Sequence, residues 1–385
     1  MNTNFSFNSV SDLSIGAGAV LKLGDIAKLS RVSRLFVVTD KGVLEHGLLE
    51  NALESLESAG VGVEIYSDVI ADPPEQTVID AAELARQKDC DGVLGFGGGS
   101  SMDTAKLVAA LLTGNQPLSD MYGVDQLRGG RVPLIQVPTT AGTGSEVTMV
   151  AIVTTGESTK AGVVSRTLLA DHVVLDPELT VGLPAHVTAA TGIDAMVHAI
   201  EAYTSARLKN PLSDMVARQA LSLMSPNIET ATHNGHNLEA RSAMLLGAML
   251  AGQAFANAPV AAVHALAYPL GGVYHIPHGL SNSLVLPHVL RFNSQAASGL
   301  YCELAALLLP AGTNFTESTV GDVLAEHFLA LAQTLGLQTR LRQFDISENS
   351  LAALADDAML QQRLLINNPR ALEHEDALRI YQQAY

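Results

Sequence analysis

Asp194 and His198 stand four residues apart in ATGIDAMVHAIEAY, a segment whose apolar residues recur at helical period. On a helix, positions i and i+4 share a face, so a carboxylate oxygen and an imidazole nitrogen can converge on one ion. A surface hydrogen bond between the two would be the simpler reading. Their neighbours Ala195, Met196, Val197, Ala199 and Ile200 are apolar, however, so both polar groups need partners inside the protein. Two further histidines, His264 in AVHALAYPL and His278 in HIPHGLSN, lie 14 residues apart. A histidine in an apolar helix is ordinarily a hydrogen-bonded core residue, and for His264 alone that reading stays open. Together, one Asp and three neutral His form an O/N donor set suited to Fe²⁺ or Zn²⁺, with room for a substrate oxygen. His275 is close enough in sequence to reach the same pocket. His233 and His236 in THNGHN read as a solvated turn.

A second chemistry is suggested by GFGGGSSMDTAK, Gly95 to Lys106, which follows a strand-like run and opens a helix. Consecutive glycines let the backbone approach a phosphate, and the N–H groups and positive end of the helix favour an anion. The spacing does not match the dinucleotide fingerprint, because Ser100 stands where its third glycine would be. A plain glycine-rich turn, with Ser100 as N-cap and Asp103 closing a capping box, is the competing reading. PTTAGTGSE, Pro138 to Glu146, follows another strand and adds the hydroxyls of Thr139, Thr140, Thr143 and Ser145. Asp40 ends an earlier strand. It suits a hydrogen bond to an adenine-ribose hydroxyl and would repel a phosphate there, which favours NAD over NADP; a turn or N-cap role is the alternative.

These residues must be held by elements of two kinds. Arg34–Asp40, Gly62–Tyr66, Gly92–Phe96 and Leu134–Val137 read as buried strands, alternating with helices over Val43–Ser58, Glu75–Lys88 and the segment ending at Leu112. This alternation predicts a parallel sheet covered by helices. Beyond Val181 to Pro184 the pattern becomes helical: Ala185–Thr204, Leu212–Leu223, Leu238–Ala256, Val260–Leu270, Val320–Thr334 and Ser347–Leu365.

Composition narrows the class. Only 16% of the 385 residues are charged, against a usual ~25%, and 39 acids against 22 bases leave a net charge of −17. Nucleic acid and anionic membrane surfaces would repel such a chain. From Ser242 to Leu290, 49 residues pass without Asp, Glu, Lys or Arg. Gln253, Asn257, Pro259, His264, Pro269 and His278 divide that run into pieces too short or too polar to span a bilayer. Cys90 and Cys302 are the only cysteines, which gives neither a disulfide framework nor a Cys-based metal motif. With no signal-peptide pattern, a cytoplasmic protein is expected.

The strings GGGSSMDTAK, PTTAGTGSE, ATGIDAMVHAIEAY, VHALAYPLGGVYHIPHG and NNPR at Asn367 to Arg370, in this order, resemble the iron-containing, group III alcohol dehydrogenases over nearly the whole chain. The resemblance implies an α/β N-terminal nucleotide-binding domain with a parallel sheet over 1–182 and an all-α C-terminal domain over 183–385, the dehydroquinate synthase-like fold, with NAD(P) and a metal in a cleft. By motif match, Asp194, His198, His264 and His278 become the metal ligands. Gly97, Gly98, Gly99 and Ser100 take the pyrophosphate, Asp40 the adenosine end, and Thr139, Thr140 and Ser145 the cofactor or substrate edge. Lys160 falls near the nicotinamide ribose. Many members carry a His four residues after the third ligand, as in HxxxHPLG, where this chain has Tyr268. A phenol of ordinary pKa ~10 is a poorer base near neutrality than an imidazole. Tyr268 and His275 are therefore both proton-relay candidates, alongside water and a cofactor ribose hydroxyl.

The expected reaction is reversible hydride transfer between a small alcohol and NAD, with the substrate oxygen on Fe²⁺ or Zn²⁺ and the chain assembled as a homodimer. Transhydrogenation between hydroxy and oxo acids, or a lyase cycle using bound NAD, would need extra cations, for which Lys160, Arg207 or Lys209 are available. A non-catalytic assembly subunit is the rival of another class.

Overall fold

The computed structural model describes residues 4–156 and 159–385. It divides into an α/β unit, Asn8–Val181, and a helical unit, Gly182–Tyr385, to which the described residues before Asn8 also belong. In the α/β unit the strands are β1 (Asp12–Ile15), β2 (Arg34–Val38), β3 (Gly62–Tyr66), β4 (Gly92–Gly97), β5 (Gly123–Val124), β6 (Leu134–Pro138), β7 (Val150–Thr155), β8 (Thr159–Val164) and β9 (His172–Leu175). Its helices are α1 (Leu23–Leu29), α2 (Lys41–Glu45), α3 (Glu50–Ser58), α4 (Glu75–Gln87) and α5 (Gly99–Leu111).

Six parallel strands form one sheet in the order β1-β9-β6-β4-β2-β3. The apolar runs of β2, β4 and β6 are buried because helices cover both faces of a parallel sheet. From β2 the chain steps outward to β3, then crosses back over β2 to β4. This reversal between β2 and β4 is where doubly wound sheets bind ligands, outside the carboxyl ends of the strands. Asp40 leaves one of those ends and Gly97–Gly99 the other, while Gly97 pairs with Pro138, so the Thr-rich loop departs from the adjacent strand.

Three features of this unit depart from the sequence pattern. The main sheet gains β1 and β9, which the apolar runs do not announce. The predicted helix Val43–Ser58 is split into α2 and α3, because the chain turns at Gly47 with φ +67°, a conformation glycine adopts without strain. The antiparallel pair β7 and β8, with β5 on its edge, forms a separate three-stranded sheet that the alternation of strands and helices does not predict.

The helical unit comprises α6 (Ala185–Thr204), α7 (Pro211–Met224), α8 (Ile228–His233), α9 (Leu238–Asn257), α10 (Ala262–Tyr274), α11 (His278–Leu308), α12 (Val320–Thr334), α13 (Leu351–Met359), α14 (Gln362–Leu365) and α15 (His374–Ala384). At 31 residues α11 is the longest of these, and the helical periodicity of the sequence does not show it. It accommodates Pro287 in its interior and starts directly after Pro277, whose fixed φ suits a helix start. Among the described residues no single helix is long and apolar enough to cross a membrane; α9 and α10 pass that test only as a pair bent by 107°.

The uncharged run therefore supplies most of α9, all of α10 and the start of α11; α9 and α11 pack on α6, and α10 packs on α11. The closest approach is at Gly279, where a Cβ would lie 2.3 Å from the Ala190 carbonyl oxygen and 3.2 Å from Asp194 Cβ. Only glycine lets the first turn of α11 rest on the α6 backbone. We expect Gly279→Ala to destabilise the protein by about 1–3 kcal/mol through overpacking against backbone that cannot yield. Thermal melts read this directly, and an unchanged melting temperature would contradict the contact.

Candidate functional site

Helix α6 presents Asp194 and His198 on one face, α10 contributes His264 from its first turn, and His278 opens α11. The His198, His264 and His278 Nε2 atoms each lie 3.8 Å from Asp194 Oδ1, and the four ligand atoms are all within 4.8 Å of one another. A tetrahedral ion with bonds of about 2.1 Å spaces its donors roughly 3.4 Å apart, so the 3.8 Å separations to Asp194 are a few tenths of an ångström wider than a loaded site and would close by small side-chain shifts. The donor chemistry, one carboxylate oxygen and three imidazole nitrogens, fits Fe²⁺ or Zn²⁺ equally.

Burial is uneven around this cluster. Asp194, His198 and His264 are sealed, at 2%, 4% and 2% exposure, whereas the His278 side chain is 44% exposed. The cluster is therefore open to solvent on the His278 side alone. Burial pushes the Asp194 carboxyl up, but the three imidazoles and the Asn282 amide outweigh it and hold the group below the usual carboxylate range. His264 is opposite in sign: burial pushes it down, and Glu201, helped by Asp194, overcomes that and keeps it above the ordinary imidazole value.

Three neighbours of the cluster are not among the expected site residues. Glu201 Oε2 accepts a hydrogen bond from His264 Nδ1 at 2.6 Å. Asn282, one turn after His278, donates to Asp194 Oδ1 at 2.6 Å and lies 3.3 Å from Nε2 of both His264 and His278. The Phe255 ring lies 4.5 Å from that of His198. The sequence holds a signal for Glu201, which follows Asp194 by seven residues and so shares its helix face, and for Asn282, four residues after His278. Of the relay candidates, Tyr268 has its ring centroid 6.0 Å from that of His278. His275 is exposed and closes α10 in the left-handed conformation, φ 55°; among the described residues it makes no hydrogen bond, ion pair or ring contact with the four ligands.

In the α/β unit the glycine loop has the geometry of an anion cradle. Gly97 has φ +149°, and a Cβ there would lie 2.8 Å from Ser101 Oγ. A Cβ on Gly99 would meet Thr143 Cγ2 at 2.9 Å, whereas one on Gly98 would meet nothing nearer than Thr140 at 3.9 Å. The first and third glycines are thus demanded by packing, and the middle one leaves an open face. The N-cap of α5 is Gly98 and carries no side-chain cap, so the N–H groups of the first turn are available to a phosphate. Ser100, expected as N-cap in the competing reading, lies inside the helix instead. Asp40 combines both of its readings. Its Oδ1 caps α2 through Val43 N at 3.1 Å, and its Oδ2 faces the loop, 3.5 Å from Ser101 Oγ.

Asp103 is not a cap but part of a buried network. Lys106, fully buried, donates to Asp103 Oδ1, Ser145 Oγ, Thr148 Oγ1 and the Val150 carbonyl at 2.7–3.1 Å. Ser145 Oγ donates in turn to Asp103 Oδ1 at 2.5 Å, so its hydroxyl is engaged in joining the two loops. Thr139 is buried and donates its N–H to the Gly97 carbonyl, while Thr140 is half-buried beside Gly98. Lys160 pairs with Asp72 at 2.7 Å and donates to Thr154 Oγ1 at 3.0 Å.

The family model described as iron-containing alcohol dehydrogenase matches residues 11–177, and the one described as Fe-containing alcohol dehydrogenase family, C-terminal, matches residues 188–385. The chain is 38% identical over 374 residues to long-chain-alcohol dehydrogenase 1 of Geobacillus thermodenitrificans (strain NG80-2), covering 96% of this chain and 94% of that one. A crystal structure of 1,3-propanediol oxidoreductase superposes with a TM-score of 0.96 at 33% identity, covering 99% of this chain and 100% of that chain. Sulfoacetaldehyde reductase from Bifidobacterium kashiwanohense, solved in complex with NAD⁺, superposes with a TM-score of 0.89 at 28% identity, covering 100% of this chain and 99% of that one.

Glu146, beside the buried lysine, generates a pH prediction. Burial pushes its carboxyl up to about 7, against the opposing pull of its backbone hydrogen bond and of Lys106. The folded state then holds this proton more tightly than the unfolded one. Its contribution to stability is present below the ordinary value of 4.5 and is lost as pH rises through about 7. Glu146→Gln should therefore gain on wild type between pH 5 and pH 8, by on the order of 3 kcal/mol at most. Denaturant titrations at the two pH values measure the difference, and a gap that does not widen with pH would refute a buried, proton-holding Glu146.

Proposed function

Since the chain belongs to the iron-containing alcohol dehydrogenase family and is an alcohol oxidoreductase, we propose that it interconverts a small, uncharged primary or secondary alcohol and its carbonyl with NAD and a divalent metal, Fe²⁺ or Zn²⁺. The observation that carries this reading is the convergence of three imidazole Nε2 atoms on Asp194 Oδ1, open to solvent on the His278 side. When bound, the ion supplies Lewis acidity towards an alcohol or carbonyl oxygen, and NAD supplies the hydride acceptor.

The residues provide the setting for that chemistry. Asp194 stays ionised because its surroundings outweigh burial, Asn282 orients its Oδ1, and Glu201 orients His264. Tyr268, beside His278, offers a phenol that can hydrogen-bond a substrate hydroxyl and hand its proton to solvent. Gly97–Gly99 and the start of α5 would hold the pyrophosphate, and Asp40 a ribose hydroxyl. An uncharged substrate is favoured over a hydroxy acid because Lys160 is paired with Asp72 and Lys209 with Asp214, and the run from Ser242 to Leu290 contributes no cation, which leaves only the exposed Arg207 of the three candidate cations outside an ion pair among the described residues.

Two experiments test this proposal. Protein purified without chelators should carry about one equivalent of metal, and His264→Ala should lose metal and NADH-linked turnover together; a metal-free variant with full activity would overturn the assignment. In the second, Asp40→Asn keeps the acceptor that caps α2 and removes the charge. It should shift the ratio of kcat/KM for NADP over NAD upward by roughly tenfold, an energy of about 1.4 kcal/mol. An unchanged ratio would assign Asp40 to the cap alone.

A further inference from the structure

Glu201 completes a polar line on α6: Asp194, His198 and Glu201 occupy positions i, i+4 and i+7 of one face. It is 4% exposed and flanked by Ile200 and Ala202, so its carboxylate, like that of Asp194, must be satisfied within the protein. Both oxygens are used on the same short segment. Oε1 accepts the backbone N–H of Val263 at 2.7 Å, and Oε2 accepts from His264 Nδ1 at 2.6 Å. Val263 lies in the first turn of α10, which has no side-chain cap of its own. A carboxylate from α6 therefore closes the positive end of α10 and grips the ring of the histidine that follows.

We propose that Glu201 is a positioning residue for the metal centre, which fixes His264 with its Nε2 lone pair turned towards Asp194 and supplies the second negative charge of the buried cluster. The proposal rests on reading that cluster as a metal site. With Nδ1 committed as donor to Glu201, a neutral His264 has its lone pair on Nε2, the atom 3.8 Å from Asp194 Oδ1. Asp194 and Glu201 together carry two negative charges, and the uncharged run from Ser242 to Leu290 brings none of either sign. A divalent ion balances that pair.

The test uses full-length protein stripped of metal and titrated with Zn²⁺ against a chromophoric chelator, with Co²⁺ visible spectra as a second probe of the ligand set. Glu201→Gln retains an acceptor for Val263 N but turns an amide donor towards Nδ1, which favours a proton on Nε2. It should bind Zn²⁺ about 10–100-fold more weakly and alter the Co²⁺ spectrum. Glu201→Asp keeps the charge but is one methylene too short to hold both groups, and should lose roughly tenfold, which carries the test if the Gln variant does not fold. Wild-type Zn²⁺ affinity in both variants would overturn the proposal. A lowered melting temperature of the metal-free variants at unchanged affinity would also overturn it, making Glu201 a cap of α10 and no more. Failure of the wild type to bind Zn²⁺ or Co²⁺ at all would instead bring down the reading of the centre as a metal site.

Discussion

A carboxylate sealed in an apolar helical unit must be matched by charge or hydrogen bonds, since an unpaired buried ion costs several kcal/mol. Asp194, at 2% exposure, imposes that requirement on everything around it. Its partners come from three helices: His198 from α6 itself, His264 from α10, and His278 and Asn282 from α11. The packing follows from bringing those helices together. Gly279 removes the side chain that would hold α11 off α6, and the left-handed His275 followed by Pro277 ends one helix and starts the next within a few residues. The long uncharged run has its physical reason here, because any Lys or Arg on these faces would compete for the carboxylate.

The α/β unit meets a different constraint by other means. An anion is to be held by backbone dipoles, so the residues that matter there are mostly ones without side chains. Gly97 and Gly99 are forced by their neighbours, and Gly98 leaves an open face. Rigidity comes from below, where the buried Lys106 ammonium ties α5 to the Thr-rich loop and to β7 through three oxygen acceptors, Ser145 Oγ, Thr148 Oγ1 and the Val150 carbonyl. The same lysine accounts for Asp103, which reads as a capping residue, and for the Ser145 hydroxyl, both of which it engages in one network.

How far these features are legible in the sequence depends on whether they have a local signature. Asp194 and His198 are legible because two polar residues at helical spacing among apolar ones must satisfy each other or a shared ion, and His264 and His278 because the uncharged run isolates them. Four of the six parallel strands, β2, β3, β4 and β6, are legible as short apolar runs, whereas β1 (DLSI, mostly exposed) and the four-residue β9 are too short to stand out, and the family motifs connect the two halves. Glu201 is not, although it obeys the same spacing rule: a glutamate near the end of a helix resembles a solvated residue until its partners on α10 are known. Helix α11 is hidden by its prolines and polar residues, since Pro287 breaks the helical pattern in one dimension and is absorbed only by packing. The Lys106 network links Asp103, Lys106 and Ser145 across 42 positions of chain, a relation that no local pattern records.

The uneven sealing of the ligand set also has a kinetic meaning. Three donors are buried within the helical unit, but His278 stands at the first turn of α11 with its side chain 44% exposed. An ion would therefore enter and leave past one ring, and its exchange would require that ring to turn aside as well as the bonds to the other three donors to break. A ferrous ion held here would meet dissolved oxidants first on that exposed side.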